Sequence, residues 1–409
     1  MSEVYVIGTG MTPFGKFSEK SVKDLTRDAV RQAMRDAGCE IAEIEGAWFS
    51  NTTQRVIDGQ FLIPGQIALG AMGFEEIPVI NVENACAGAG SAFFEARNYL
   101  KAGLADVVLA VGAEKMYSTD REAMFRIFDG GWDVHRADEL YAGLVALGHG
   151  VEIPEEDDGA QRSVFMDVYA ALARYHMKTY GTTQRQLAAV SAKNHDHSTL
   201  NPLSQYRDAM SIDEVLTART ICWPLTLPMC SPISDGAAAA ILCTAEALGR
   251  FDKSRAVRVL ASVIGTAVRR EPQDSERHVT RLAVLKAYDQ AGIGPEDISL
   301  AELHDATAFA EIQQTENMGF CGFGEGGPLV ESGATRLGGR LPVNVSGGLE
   351  SKGHPIGVTG LAMIYELVTQ LRGEAGSRQV AGARFGLAEN GGGNNGLEEA
   401  TASITILGN

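Results

Sequence analysis

The sequence predicts an α/β protein built as two duplicated halves, each a sheet covered by helices, and three observations carry that prediction. Thr26 to Gly38 (TRDAVRQAMRDAG) and Thr280 to Gly292 (TRLAVLKAYDQAG) share seven of thirteen aligned residues. The strand-like stretch ahead of each holds the same tetrapeptide, Val6-Ile7-Gly8-Thr9 and Val263-Ile264-Gly265-Thr266. Two matches in the same order argue for duplication rather than coincidence. Each half also alternates short β-leaning runs with helical stretches, a pattern that folds as a sheet with helices on its faces.

Composition narrows the class. A chain of 409 residues is long enough for more than one core. Hydrophobic content of 45% and charged content of 21% are those of a soluble globular protein. Lys and Arg number 35 against 52 Asp and Glu, a formal charge of −17. That balance argues against wholesale binding to nucleic acid or to an anionic membrane. No apolar run approaches the ~18 residues of a membrane span. MSEVYVIGTG lacks the basic region and cleavage site of a secretory signal. The six cysteines form no C-x-x-C pair, so neither a zinc framework nor a disulfide scaffold is indicated, and a cytoplasmic protein is expected. Of the 47 glycines, eleven cluster in residues 347–360 and 382–396, where they suggest site-forming loops.

The elements follow in order. Val4 to Ile7 reads as a strand; the GTGMTPFG after it is no dinucleotide fingerprint, because Pro13 stands where the third glycine is required. Thr26 to Gly38 is an amphipathic helix, and Ala47 to Phe49 a strand. Ile77 to Val82 is short and apolar, and reads as a buried strand. In Ala87 to Lys101, Ala92, Phe93, Ala96 and Leu100 recur at helical spacing. Leu104 to Met116 resembles Val380 to Gly392, and Asp235 to Cys243 closes the first half as a small-residue strand. The polar junction RFDKSRA, residues 250–256, divides the chain into residues 1–250 and 251–409. Between about residues 114 and 185 lies an insertion without a counterpart in the second half. It carries Phe125, Phe128, Trp132 and the acidic run Glu152 to Asp158, in which Asp157 and Asp158 read as a solvated turn. Such an insertion serves substrate recognition or packing.

Candidate chemistry gathers at four places. Cys86, in NVENACAGAGS, stands where a strand ends and a helix begins. Unpaired N–H groups and the helix dipole favour a thiolate there, and small neighbours leave room for a substrate carbonyl. An isolated cysteine is more often a core residue; the other three places argue otherwise. His304-Asp305-Ala306 follows the short strand Leu300 to Leu303, opposite Ser50 by the repeat. His354 is held between Gly353 and Pro355 in GGLESKGHPIGVTG, an imidazole titrating near neutrality on a tightly specified backbone. Glu389-Asn390-Gly391-Gly392-Gly393 follows the strand Ala383 to Ala388 and offers backbone N–H groups for an oxyanion. His195-x-His197 lacks a third metal ligand; solvation accounts for these two and for His149 more simply, and no metal is expected.

NVENACAGAG, LHDA, GGLESKGHPIGVTG and ENGGG, in this order and spacing, resemble the active-site loops of the thiolase superfamily. The nearest branch is that of sterol-carrier-protein-type thiolases and their bacterial lipid-transfer-protein-like, acetyl-CoA acetyltransferase-like relatives. The resemblance covers essentially the whole chain. It implies two βαβαβαββ halves in a layered αβαβα arrangement with an inserted loop domain. It also implies a ping-pong acyltransferase acting on coenzyme A thioesters: thiolytic cleavage of a β-ketoacyl-CoA or the reverse Claisen condensation, in lipid or aromatic acid degradation. In that scheme Cys86 is the nucleophile. His354 activates it and binds a thioester oxygen, and His304 takes the place other thiolases give to asparagine. The N–H groups of Cys86 and Gly391 form the oxyanion hole, with Asn390, Gly392 and Gly353 in the same loops. Coenzyme A is implied as substrate, with no permanently bound cofactor. A homodimer is implied, and so is a small OB-fold, zinc-ribbon partner subunit.

The chain departs from the family in one respect. The second cysteine of thiolases is absent from both places that supply it, where this chain has Ala306 and Glu389. Glu389 is therefore a candidate base, its carboxyl raised toward neutrality by burial among glycines, or else a charged loop residue paired with a cation. The same absence keeps open an aldolase, an acyltransferase to an acceptor other than CoA, and a non-catalytic subunit of a thiolase-like complex. Arg126, Arg136, Lys178 and Arg185 are candidates to face the CoA phosphates.

Overall fold

The computed structural model describes residues 3–154 and 162–409; Asp157 and Asp158 lie outside them. Its strands are β1 (Val4–Met11), β2 (Ala47–Ser50), β3 (Val79–Val82), β4 (Val107–Glu114), β5 (Thr220–Cys222), β6 (Leu225–Thr226), β7 (Gly236–Thr244), β8 (Val257–Thr266), β9 (Leu300–Glu302), β10 (Phe385–Gly392) and β11 (Thr401–Gly408). Strands β5 and β6 form a separate hairpin; the rest join in the order β3-β2-β4-β7-β1-β8-β11-β10-β9.

The pairing repeats. In the first half β2 runs parallel to β3 and β4, β4 antiparallel to β7, and β7 antiparallel to β1. In the second, β9 runs parallel to β10, β10 antiparallel to β11, and β11 antiparallel to β8. A single parallel bridge, Ala301 to Val343, stands where β3 stands in the first half. The halves meet where Tyr5 and Val6 of β1 pair with Arg258 and Val257 of β8.

Helices cover each sheet for reasons visible in the residues. Val22–Ala37 begins at Ser21, whose hydroxyl caps Asp24 N–H while the Asp24 carboxylate accepts from Ser21 N–H, and it ends at Gly38 with φ +64°. Its counterpart Val279–Ala291 ends at Gly292 with φ +70°. These two lie on the outer faces, over β1 and β7 and over β8 and β11. The helices Gly88–Lys101 and Thr359–Leu371 pack on each other between the sheets, completing five layers. Alternation along β7 follows from that sandwich: Ala238, Ala240 and Leu242 join the central core, while Ala237, Ala239 and Ile241 join the outer one. Where the central helices cross, a Cβ on Gly360 would stand 2.6 Å from Gly90 N, so only glycine permits the approach.

One expected strand differs. The Ile77 to Val82 stretch forms β3, but at the sheet edge, with Ile80 47% exposed rather than buried. Apolarity identifies a strand but not its number of neighbours; beyond β3 stands no further strand among the described residues, only the Gln66 side chain, whose Nε2 donates to Val79 O at 2.8 Å. Among the described residues no helix is long and apolar enough to cross a membrane.

A candidate active site where two helix entrances meet

Because the central helices pack together, the turns that lead into them are brought face to face. Cys86 precedes Gly88–Lys101, and His354 precedes Thr359–Leu371. The Cys86 sulfur and one ring nitrogen each of His304 and His354 all lie within 4.8 Å of one another. The two imidazoles meet edge to face, centroids 5.1 Å apart. A cavity of about 950 Å³ opens onto all three.

The turn before Cys86 is strained: Ala85 has φ +47°, its N–H held by the Glu83 carboxylate at 2.7 Å. The turn rests on the last glycine cluster, where a Cβ on Gly392 would meet Asn84 O at 2.3 Å. His354 is fixed from behind by its N–H to Ser234 Oγ at 3.0 Å, and its Nδ1 has no partner. Asn390 Nδ2 donates to His304 Nδ1 at 3.2 Å and to Thr359 Oγ1 at 3.3 Å. An amide nitrogen only donates, so Nδ1 of His304 accepts and its proton sits on Nε2. Glu114, at the end of β4, accepts from Thr52 N–H, Thr53 N–H and Gly357 N–H at 2.9–3.0 Å and so ties the first half to the His354 loop.

Electrostatics correct the expected thiolate. Burial pushes the Cys86 thiol up from 9.0 to about 12; its own N–H and that of Gly393 oppose this without prevailing. That shift is on the order of 4 kcal/mol, whereas a helix N-terminus supplies about 0.3–1. The sulfur rests as a thiol and needs a base. Burial lowers His304 to about 4, and burial with the neighbouring His304 lowers His354 well below its usual value. Both imidazoles are neutral near pH 7, and His354 is free to take a proton.

The structure distributes the other expected residues unevenly. Gly392 borders the cavity, and so does Gly393. Glu389, Asn390, Gly391 and Gly353 stand behind it. Gly391 lies within β10 opposite Ala402. Glu389 is buried, one carboxylate oxygen accepting from His304 N–H at 2.9 Å and the other without a partner; burial first, then Glu399, raises its carboxyl well above the usual range. The sequence did not single out Glu399. It borders the cavity, burial raises it to about 7, and Gln314 Nε2 donates to it at 2.9 Å. The signal available was its place in an acidic pair, Glu398-Glu399, six residues past the triple glycine.

Of the candidate CoA-facing cations only Arg126 borders the cavity, joined by Lys16, Arg55, Arg121, Arg162 and Arg219. Arg136 and Arg185 pair with Glu139 and Asp213, and Lys178 donates to two backbone carbonyls. From the insertion, Phe125 and Phe128 border the cavity, and Trp132 packs on Phe165 with centroids 6.2 Å apart. The histidines read as solvated are divided: His149 is exposed, but His195 and His197 are buried. Their helix, Gln184–Ser198, is sandwiched between the loop that leads to His354 and the layer formed by Val164–Tyr180 and Ala308–Asn317, a placement that helical spacing alone does not reveal.

Comparison with known proteins agrees with this geometry. The family model "Thiolase, N-terminal domain" matches residues 4–220, and "Thiolase C-terminal domain-like" matches residues 265–409. The chain is 38% identical over 409 residues to an acetyl-CoA acetyltransferase of Methanothermobacter thermautotrophicus, covering 100% of both. It is 32% identical over 381 residues to the benzoylsuccinyl-CoA thiolase subunit BbsB of Thauera aromatica, covering 92% of this chain and 91% of that one. Among solved structures, the Ltp2-ChsH2(DUF35) aldolase superposes with a TM-score of 0.77 at 24% identity, over 99% of this chain and 97% of that one. Human mitochondrial 3-ketoacyl-CoA thiolase in complex with CoA superposes at 0.69 and 15% identity, over 100% and 98%. Over its whole length the chain belongs to the thiolase family, and it is an acyltransferase of coenzyme A thioesters.

Proposed function

We propose that the chain works by a ping-pong mechanism through an acyl-Cys86 thioester, in the thiolytic cleavage of a β-ketoacyl-CoA or its reversal. The observation that carries this reading is the convergence of Cys86, His304 and His354 within 4.8 Å at one cavity. His354 takes the Cys86 proton as the sulfur bonds to the keto carbon, which avoids a free thiolate. The oxyanion on that carbon is met by N–H groups of the Cys86 turn and the glycine cluster. The C2–C3 bond then breaks, C2 takes a proton and acetyl-CoA leaves. Coenzyme A next attacks the acyl-Cys86 carbonyl, its thiol proton returns to the enzyme, and the shortened acyl-CoA departs. His304 Nε2–H donates to the thioester oxygen where charge develops.

The second proton belongs, in this reading, to Glu399, a carboxyl near neutrality that borders the cavity. Glu389 acts as a positioning residue through His304 N–H. Incubation with acyl-CoA should add one acyl mass to the wild type and none to Cys86→Ala; lack of an adduct with every thioester tried rejects the reading. Glu399→Gln should keep the adduct and lose C–C cleavage by roughly 10²-fold or more, while Glu389→Gln should lose less. Full turnover in Glu399→Gln returns the role to Glu389.

The absent second cysteine, with Ala306 and Glu389 in its two places, favours a second reading on the same fold: retro-aldol cleavage or transfer to a non-CoA acceptor. Release of an aldehyde or ketone without CoA consumption distinguishes it. The place of β3 at the sheet edge, with Ile80 exposed, and the exposed Phe61, Leu62 and Ile67 support a homodimer through this sheet. BbsB is named as a subunit, which supports a small partner protein here as well. The halves divide, in this reading, near residue 250.

A further inference from the structure

Away from the sulfur, the cavity wall holds polar groups that the acyl-transfer chemistry does not use. Glu350 lies in the loop that carries His354, is 1% exposed and borders the cavity, yet neither carboxyl oxygen has a hydrogen-bond partner. The hydroxyl beside it, Ser191, gives its proton to Pro228 O at 2.6 Å, so toward Glu350 it can only accept. His195 stands one helical turn after Ser191 on the same helix face, is 5% exposed and also borders the cavity. Its ring stacks on Tyr206 and its Nδ1 faces Ser351 Oγ at 3.3 Å, while Nε2 faces the carbonyls of Asp208 and Pro228 without a well-aligned hydrogen bond to either. Buried polar atoms are rarely left unpaired, because the water they lose is not replaced. The Glu350 oxygens and His195 Nε2, poorly satisfied on one stretch of wall, keep hydrogen-bonding capacity for a ligand.

The neighbours define its charge. Asp305 and Glu311 stand near Glu350, and the one cation among them, Lys193, is already committed to Glu311 at 2.7 Å and to Val343 O at 2.8 Å. Burial and those two acids keep the Glu350 carboxyl protonated, and burial keeps His195 neutral. A protonated carboxyl and a neutral imidazole can each donate and accept, but they offer an anion no net positive charge. Arg219, which also borders the cavity, is exposed.

We infer that Glu350 and His195 form a hydrogen-bonding recess that selects acyl groups carrying an uncharged oxygen function, a hydroxyl or ketone along the chain, over plain alkyl and over carboxylate-ended ones. The inference rests on the acyltransferase reading and names its substrate class.

The test measures the rate of Cys86 acylation by intact mass with coenzyme A thioesters of one chain length. The acyl groups are unsubstituted, hydroxylated at successive carbons, or carboxyl-ended. At the carbon that reaches the recess, the hydroxylated thioester should react about tenfold faster or more than the alkyl one, and the carboxyl-ended one should be slowest. Glu350→Ile should bring the hydroxyl-to-alkyl ratio close to one, and His195→Phe should lower it. Equal wild-type rates at every position, or a preference for the carboxylate, overturn the recess and leave acyl transfer standing. An unchanged ratio in both variants also overturns it. Failure of every thioester, acetyl-CoA included, overturns both readings. If a variant does not fold, the wild-type series decides alone.

Discussion

The two helix entrances occupy equivalent places in the repeat yet have opposite surroundings. The loop before Thr359–Leu371 is buried from Gly347 to Gly360. Asp305 accepts from Leu349 N–H at 2.7 Å, Lys352 and Ser346 bond to each other at 2.7 Å and face Glu302, and Lys193 braces Val343 from the helix above. The loop before Gly88–Lys101 has Asn81 and Glu83 exposed and Cys86 half-buried. Duplication supplied two similar sites, and one was roofed by the helix Gln184–Ser198 while the other stands at the sheet edge. The covered half holds its imidazole rigidly; the open half presents its sulfur to a cavity.

The largest effect expected from this contrast is on the braced side. Lys193→Met would leave the buried Glu311 carboxylate and Val343 O without their cation. A loss of about 3–5 kcal/mol is expected in denaturant unfolding; a loss below about 1 would mean that the brace contributes little.

A smaller effect comes from pH. His197 is buried, with Nδ1 facing Asn344 O at 3.0 Å and Nε2 accepting from Leu337 N–H at 3.0 Å. Burial, then Lys193, lowers it to about 3. Between pH 6.5 and 3 the unfolded chain therefore binds a proton that the folded chain does not, and this residue's contribution is lost as pH falls. His197→Gln should be destabilised near pH 8, and its deficit against wild type should shrink below pH 6.5 by up to about 1.4 kcal/mol per pH unit. A deficit independent of pH would reject a neutral buried imidazole.

The smallest effect on the protomer is expected on the open side. Ile80→Lys places a charge on the exposed edge and should change unfolding stability by no more than about 0.5 kcal/mol. It should nevertheless convert a dimer to a monomer in sedimentation. A wild-type monomer at micromolar concentration would remove the proposed dimer edge.

How much of this could be read in advance differs by kind of information. The repeat carried the topology, because matched helices and strands must pair in matched order. Cys86 and His354 stood out because glycine-rich turns at element ends present side chains, and His304 because it follows a short strand. The position of β3 at an edge did not, since an apolar strand reads alike with one neighbour or two. Glu399 was passed over because a carboxyl in an acidic pair looks solvated until the fold buries it.

By itself the sequence determined the duplicated α/β architecture and which turns carry reactive groups, since periodicity and turn chemistry act over a few residues. Only the tertiary structure decided that Cys86 rests as a thiol, that the histidines are neutral, and that Glu399 and Glu350 face the cavity while Glu389 does not. Those outcomes depend on desolvation and on neighbours from the other half of the chain, and neither exists until the halves have packed.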